Sequence, residues 1–150
     1  MVWANPELAG VAEGLWEARE RVGKCWLARV YRDDALQDAL HQPAHELVEW
    51  VNPLLLWLGA ALQEAALPPH PGHGSTIEDQ LHILARKRLA GGTPERELRR
   101  EVALLGSVLA EELERGLENG RWITEAERQY ARTCLWKALE AARRAIIESG

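Results

Sequence analysis

The sequence predicts an all-α fold, a single helical bundle of five to six helices, of which a globin-like arrangement is one form. Three observations point there. Apolar residues recur at spacings of three and four along nearly the whole chain. The periodic runs are bounded by helix punctuation, with Asn, Ser or Thr before them and Gly or Pro between them. No stretch alternates apolar and polar residues as a half-buried strand would. A chain of 150 residues, 47% of them hydrophobic, suits one domain over 1–150 with a filled core.

Leu8, Val11, Leu15, Ala18, Val22 and Cys25 form a heptad-like seam on the first helix, and Arg29 ends it. Asn5 stands as its cap, with Pro6 at its first position. Asp33 and Asp34 close this helix and open a short one through "ALQDAL". After Pro43 a third helix is expected over about 44–65. Leu47, Val48, Val51, Leu54, Leu55, Leu58 and Leu62 give it a wide apolar face, and Pro53 should kink it. The segment "LPPHPGHGS" reads as an exposed connector, ending in a Ser75–Glu78 capping box that opens a fourth helix over about 76–90. Gly91 and Gly92 stop that helix. Thr93 is expected to cap the fifth, with Pro94 at its first position and Leu98, Val102, Leu105, Leu109 and Leu113 as its stripe. Thr124 and Glu127 form another capping box and open the last helix, with Tyr130, Cys134, Leu135, Ala138, Ala142 and Ile146 on one face.

The formal net charge of −5 weighs against general nucleic-acid binding. Seven Trp and no Phe make the large rings mostly indoles, whose N–H groups seek polar partners. Cys25 and Cys134 fall inside amphipathic patterns and read as small buried hydrophobes in a reducing compartment. The N-terminus lacks the pattern of a signal peptide, and the most apolar run, 54–62, is about half the ~20 residues that span a bilayer. A cytoplasmic protein with no membrane partner is expected.

The catalytic inventory is empty. Serine occurs only at Ser75, Ser107 and Ser149, and no nucleophile elbow or phosphate loop is present. No metal site is assigned: His41 and His45 are separated by Pro43, and His70 and His73 lack spaced co-ligands. His45-Glu46-Leu47 shares a triplet with the phosphoacceptor segment of histidine kinases, without the basic residue that follows there.

Two features remain. His82 lies at the edge of the buried face of the fourth helix. It serves either as a hydrogen-bonded core-edge residue or as a contact in a ligand pocket, with haem as one form of ligand. The groove where His82 meets the start of the fifth helix makes His82, Arg86, Leu98, Arg99, Val102 and Trp57 the candidate ligand-binding residues. The second feature is the basic corner "ARKRLAGGTPERELRRE". A DNA-reading helix-turn-helix needs an exposed second helix, whereas the stripe after Pro94 demands burial along its length. Glu97 and Glu101, with Arg96 and Arg100, read as a mixed solvated face, and the arginines as a polar rim.

The stretch "HILARKRLAGGTPERELRREVALLGSVLAEEL" resembles the RsbRD-type N-terminal domain, found ahead of sensor histidine kinases and of stressosome RsbT co-antagonist proteins. His82, Arg86, Arg88, Gly91 or Gly92, Leu98, Glu101 and Leu104-Leu105 fall on that pattern. Upstream, "LWEARERVGKCWLARVYRDDAL" is similar to the family's opening helix and "HELVEWVNPLLLWLGAAL" to its proline-interrupted long helix. "TEAERQYARTCLWKALEAARRAI" is similar to the closing helix, which runs on toward an output domain. The resemblance implies a non-catalytic signal-input domain, often a homodimer, coupled to a kinase or STAS partner. No such segment follows in the sequence, so it implies an excised sensor domain or a free-standing relative. Leu15 and Val22 on the first helix, and Trp136 and Leu139 on the last, are the candidate interface residues.

Overall fold

The computed structural model describes residues 6–63 and 71–150, with side chains throughout except at 71–76. Among these residues the chain is a helical bundle without strands. The helices are α1 (Pro6–Glu17), α2 (Arg19–Arg32), α3 (Ala44–Leu47), α4 (Val51–Gln63), α5 (Pro71–Ala90), α6 (Glu95–Glu118) and α7 (Glu125–Ser149). One contiguous cluster of buried apolar residues draws on all seven.

Helices α1 and α2 are the expected first helix with a bend at Ala18. Hydrogen bonds still cross the bend, from Ala18 N–H to the Gly14 carbonyl (3.0 Å) and from Val22 N–H to the Ala18 carbonyl (2.9 Å). The Arg19 guanidinium donates to the Trp16 carbonyl at 3.0 Å and lies 4.7 Å from the Trp16 ring centroid. A side chain engaging a helical carbonyl is a recognised cause of bending. The bent pair runs antiparallel to α6. A Cβ at Gly116 would sit 3.0 Å from Val11, Trp26 bonds Glu101, and Arg100 bonds Asp33. Leu8, Val11, Leu15 and Val22 are buried in this contact and in the packing on α4. The seam is consumed by the chain's own core, so Leu15 and Val22 offer nothing to a second molecule. Their apolar periodicity recorded burial and did not say against what.

The expected short helix through "ALQDAL" is only a 3-10 turn, Asp38–His41. The third helix also differs from expectation. Instead of running through with a kink at Pro53, the chain breaks into a 3-10 turn at Val48–Trp50 and restarts at Val51. This places Pro53 in the first turn of α4, where an amide donor has no intrahelical acceptor and its loss costs little. Helix α5 begins at Pro71, so Ser75 lies within its backbone and is not the cap. Proline suits a first helical position because its φ is preset and its missing N–H is not needed there. The Asn5 cap, Trp3, His70 and the side chains of His73 and Ser75 fall outside the described residues and side chains.

At the α5–α6 corner, Gly92 adopts φ 100°, a conformation that glycine alone takes without strain. Helix α7 packs antiparallel on α6 and also lies against α4 and α5. Gly106 of α6 makes the close approach possible, since a Cβ there would sit 2.7 Å from Leu139 Cδ1. The Thr124–Glu127 capping box that opens α7 is formed as expected. Thr124 Oγ1 accepts from Glu127 N–H at 3.1 Å, and the Glu127 carboxylate accepts from Thr124 N–H at 2.9 Å. Cys134 is buried and Cys25 half-buried, both as free thiols, and burial pushes the Cys134 thiol up. No helix among the described residues is long and apolar enough to cross a membrane.

Candidate functional site

The basic corner is organised around a buried ion pair. Arg88, on the last turn of α5, donates from Nη1 and Nη2 to the two Glu101 carboxylate oxygens, each at 2.8 Å. Arg88 is 5% exposed and Glu101 0%. Arg88 Nε donates to Thr93 Oγ1 at 3.3 Å, and that hydroxyl donates to Asp38 Oδ2 at 2.6 Å. Asp38 Oδ2 also lies 3.6 Å from Arg88 Nη2 and accepts from Gln42 Nε2 at 3.2 Å. Asp38 N–H donates to Glu97 Oε1 at 3.2 Å, and Trp26 Nε1–H donates to the Glu101 carbonyl at 2.8 Å. The network fastens the α5–α6 corner to α2 and to the 3-10 turn at Asp38.

Three expectations change here. Glu97 and Glu101 are buried, not part of a solvated face. Arg88 is likewise inside and not on a polar rim. Thr93 does not cap α6: that helix begins at Glu95, with Pro94 as its N-cap, and the Thr93 hydroxyl serves Arg88 and Asp38 instead. Burial pushes the Glu101 carboxyl above its ordinary value. The Arg88 hydrogen bonds and charge oppose that rise, while Asp38 and Glu97 reinforce it. Two carboxylates, Glu101 and Asp38, thus share one buried guanidinium, with Glu97 close by on the Asp38 N–H.

The other corner cations are largely taken. Arg100 Nε donates to Asp33 at 2.7 Å, Lys87 lies 3.3 Å from Glu49, and Arg99 lies 4.0 Å from Glu95. Arg86 and Arg96 remain exposed at the corner, while Arg88 is buried and the apolar stripe of α6 is used in the core.

The candidate ligand residues separate into two levels. Leu98 and Val102 are fully buried core residues of α6. Trp57 is half-buried on α4 and packs against the core. His82 and Arg86 on α5, and Arg99 on α6, gather instead near the end of α7, where Gly150 approaches the Glu95 carboxylate. His82 Nδ1 lies 2.8 Å from the Glu78 carbonyl, and Nε2 lies 2.9 Å from Glu148 Oε2. The Glu148 and Glu78 contacts hold the imidazole pKa above its ordinary value against partial burial, and Arg86 pulls it down slightly. Both ring nitrogens are occupied and the ring is at the surface. A haem ligand would need a free nitrogen facing an apolar cavity, which His82 does not provide.

A groove of about 470 Å³ lies between α1 and the second half of α6, floored by Val11 and Leu15 and walled by Gly10, Gly14 and Gly116. Glu112 at its mouth accepts from Arg21 at 2.7 Å and from Arg115 at 3.0 Å, so its cations are engaged within the chain. The spacing of Gly10 and Gly14 was the one signal in the sequence that could have marked this groove. Among the described residues no group of three or more His, Cys, Asp or Glu is placed to hold a metal ion.

On the outer face of α7, Trp136 is 61% exposed and Ile147 54%, three turns apart on one stripe with Glu140 and Arg143 between them. Leu139 turns inward against Gly106 and is half-buried, whereas Tyr130, expected on the apolar face of α7, is exposed at its rim with its hydroxyl toward the Ala61 carbonyl. Comparison with protein-family models, curated proteins and solved structures returns no match to this chain.

Proposed function

We propose that this chain is a non-catalytic signal-input domain of the RsbRD type, acting in the cytoplasm by self-association through α7 and by coupling to a kinase or STAS partner. The carrying observation is the outer stripe of α7. Two large apolar side chains stand in water there, while the opposite face of the same helix is fully used in the core. Isolated exposed apolar residues are ordinary, but an indole and an isoleucine aligned along one helix favour an interface.

The charges on this stripe favour a second copy as the occupant. Arg132 lies one turn before Trp136 and Glu140 one turn after it. Two α7 helices crossing antiparallel at Trp136 would bring each Arg132 toward Glu140 of the partner subunit, twice by symmetry. Arg132 already bonds Glu114 at 2.6 Å, so this pairing extends an existing ion cluster. Only Trp136 and Leu139 remain of the interface residues read from the sequence, with Leu139 as a support from within.

Sedimentation velocity over a concentration series tests this. The wild-type chain is expected to shift from monomer to dimer, and Trp136→Ala to remain monomeric with an unchanged helical circular-dichroism spectrum. A wild-type chain that stays monomeric throughout would overturn the dimeric reading.

A further inference from the structure

The end of α7 is held by a pair whose strength depends on the protonation state of His82. Both ring nitrogens of His82 face acceptors, the Glu78 carbonyl at 2.8 Å and a Glu148 carboxylate oxygen at 2.9 Å. A neutral imidazole carries one N–H and satisfies one of the two acceptors; the doubly protonated ring satisfies both. The Glu78 contact lies within α5, one turn back, whereas the Glu148 contact joins α5 to the last turn of α7.

We propose that His82 and Glu148 form a pH-sensitive latch that fastens the last turn of α7 to α5 when the imidazole is protonated and releases it when the proton leaves. Loss of one proton leaves a single N–H for two acceptors. A ring that keeps its Nδ1–H on Glu78 turns a bare Nε2 lone pair toward a carboxylate, and the contact becomes repulsive. A ring that keeps Nε2–H retains only a neutral hydrogen bond to Glu148, weaker than the charge-assisted one.

The surroundings are mixed in charge. On α5, Arg86 opposes protonation from one turn beyond His82. On α7, Glu148 favours it, and Arg144 lies one turn before Glu148. At the start of α6, Glu95 and Arg99 stand opposite Gly150 and pair with each other at 4.0 Å. Among the described residues, the Ser149 hydroxyl, next to Glu148, and Arg99 Nε are shielded from water without a hydrogen-bond partner. The raised imidazole pKa agrees with the geometry. Its sign places the latch closed below the ordinary histidine value of 6.5 and open as pH rises through the elevated value. The inference needs no assumption about what the domain senses.

The test is a histidine-ring NMR titration together with amide exchange of residues 146–150. In the wild type the His82 midpoint should lie above 6.5, and Glu148→Gln should lower it. Protection of the 146–150 amides, corrected for intrinsic exchange, should fall roughly two- to fivefold between about pH 5.5 and about pH 8.5. In His82→Gln and Glu148→Gln that fall should vanish. A His82 midpoint unmoved by Glu148→Gln, or equal corrected protection at both pH values in the wild type, overturns the latch. Each readout is intramolecular, so the result is independent of whether the chain dimerises.

Discussion

Among the ion pairs that fasten α5 to its neighbours, Arg88–Glu101 and His82–Glu148 have surroundings that give them opposite roles. Arg88–Glu101 is removed from water, bidentate, and embedded with Asp38, Thr93 and Trp26. His82–Glu148 makes a single contact at the surface. A buried pair has already been desolvated, so deleting one member strands the other in the interior at a cost of several kcal/mol. A surface pair breaks into water at little cost and can be switched by one proton. The first fixes the corner between α5 and α6; the second leaves the end of α7 adjustable. The same helix thus carries a rigid attachment at its C-terminal end and a titratable one two turns earlier.

The largest effect should come from Arg88→Met. It leaves Glu101, Glu97 and Asp38 around a site with no cation, and chemical denaturation should show a loss of about 3–5 kcal/mol at neutral pH. Glu101→Gln should cost less, about 1–2 kcal/mol, because Asp38 still faces the guanidinium at 3.6 Å. Equal losses from the two substitutions would erase the picture of Glu101 and Asp38 sharing one base. The pH dependence follows in sign. Glu101 already sits above its ordinary value, and removing Arg88 takes away what holds it down. A carboxyl raised in the folded state contributes stability that is present at low pH and lost as pH rises through its folded value. The deficit of Arg88→Met should therefore shrink on acidification toward about pH 5.

Next in size is Gly106→Ala, which sets a methyl against the Leu139 side chain between α6 and α7. Displacing the end of the half-buried Leu139 side chain, offset in part by the helix propensity of alanine, should cost about 1 kcal/mol, read as a lowered denaturation midpoint. Thr124→Ala removes the capping box of α7 and should cost about 1 kcal/mol. The smallest change belongs to the wet pair. His82→Gln should alter global stability by about 1 kcal/mol or less, even as it abolishes the pH response of the α7 end. A large global loss from His82→Gln would place that pair in the same class as Arg88–Glu101.

Much of the fold was legible because helical periodicity and helix punctuation are local signals. The stripes of α6 and α7, the Gly91-Gly92 stop and the Thr124–Glu127 box could all be read without knowing any neighbour. The misreadings arose where a partner distant in sequence decides. Thr93 looks like a cap until Asp38 and Arg88 claim its hydroxyl. Glu101 looks solvated because its helix neighbours are charged, yet the i,i+4 rule says nothing of Arg88 thirteen residues earlier. Leu15 and Val22 showed that the seam is buried, but only the packing of α1, α2, α4 and α6 shows that it is buried within one chain. Pro53 marked a disturbance correctly and its form wrongly, because a 3-10 turn ahead of it provides a cheaper solution than a mid-helix kink. Of the candidate ligand residues, Leu98 and Val102 read correctly as helix-stripe positions but lie in the core, and His82 lies at the edge of α5 as its spacing implied. Its chemistry depended on Glu148, sixty-six residues away. Trp50 remains without an account: its indole N–H is buried with no partner among the described residues.

The most direct test of the contrast is a pair of double-mutant cycles measured by denaturation at pH near 6, Arg88→Met with Glu101→Leu and His82→Gln with Glu148→Gln. The buried cycle should return a coupling energy of about 2–3 kcal/mol, with the apolar double variant recovering much of the loss of Arg88→Met. The surface cycle should return about 1 kcal/mol or less. A buried coupling no larger than the surface one would contradict the division into a fixed corner and a releasable helix end.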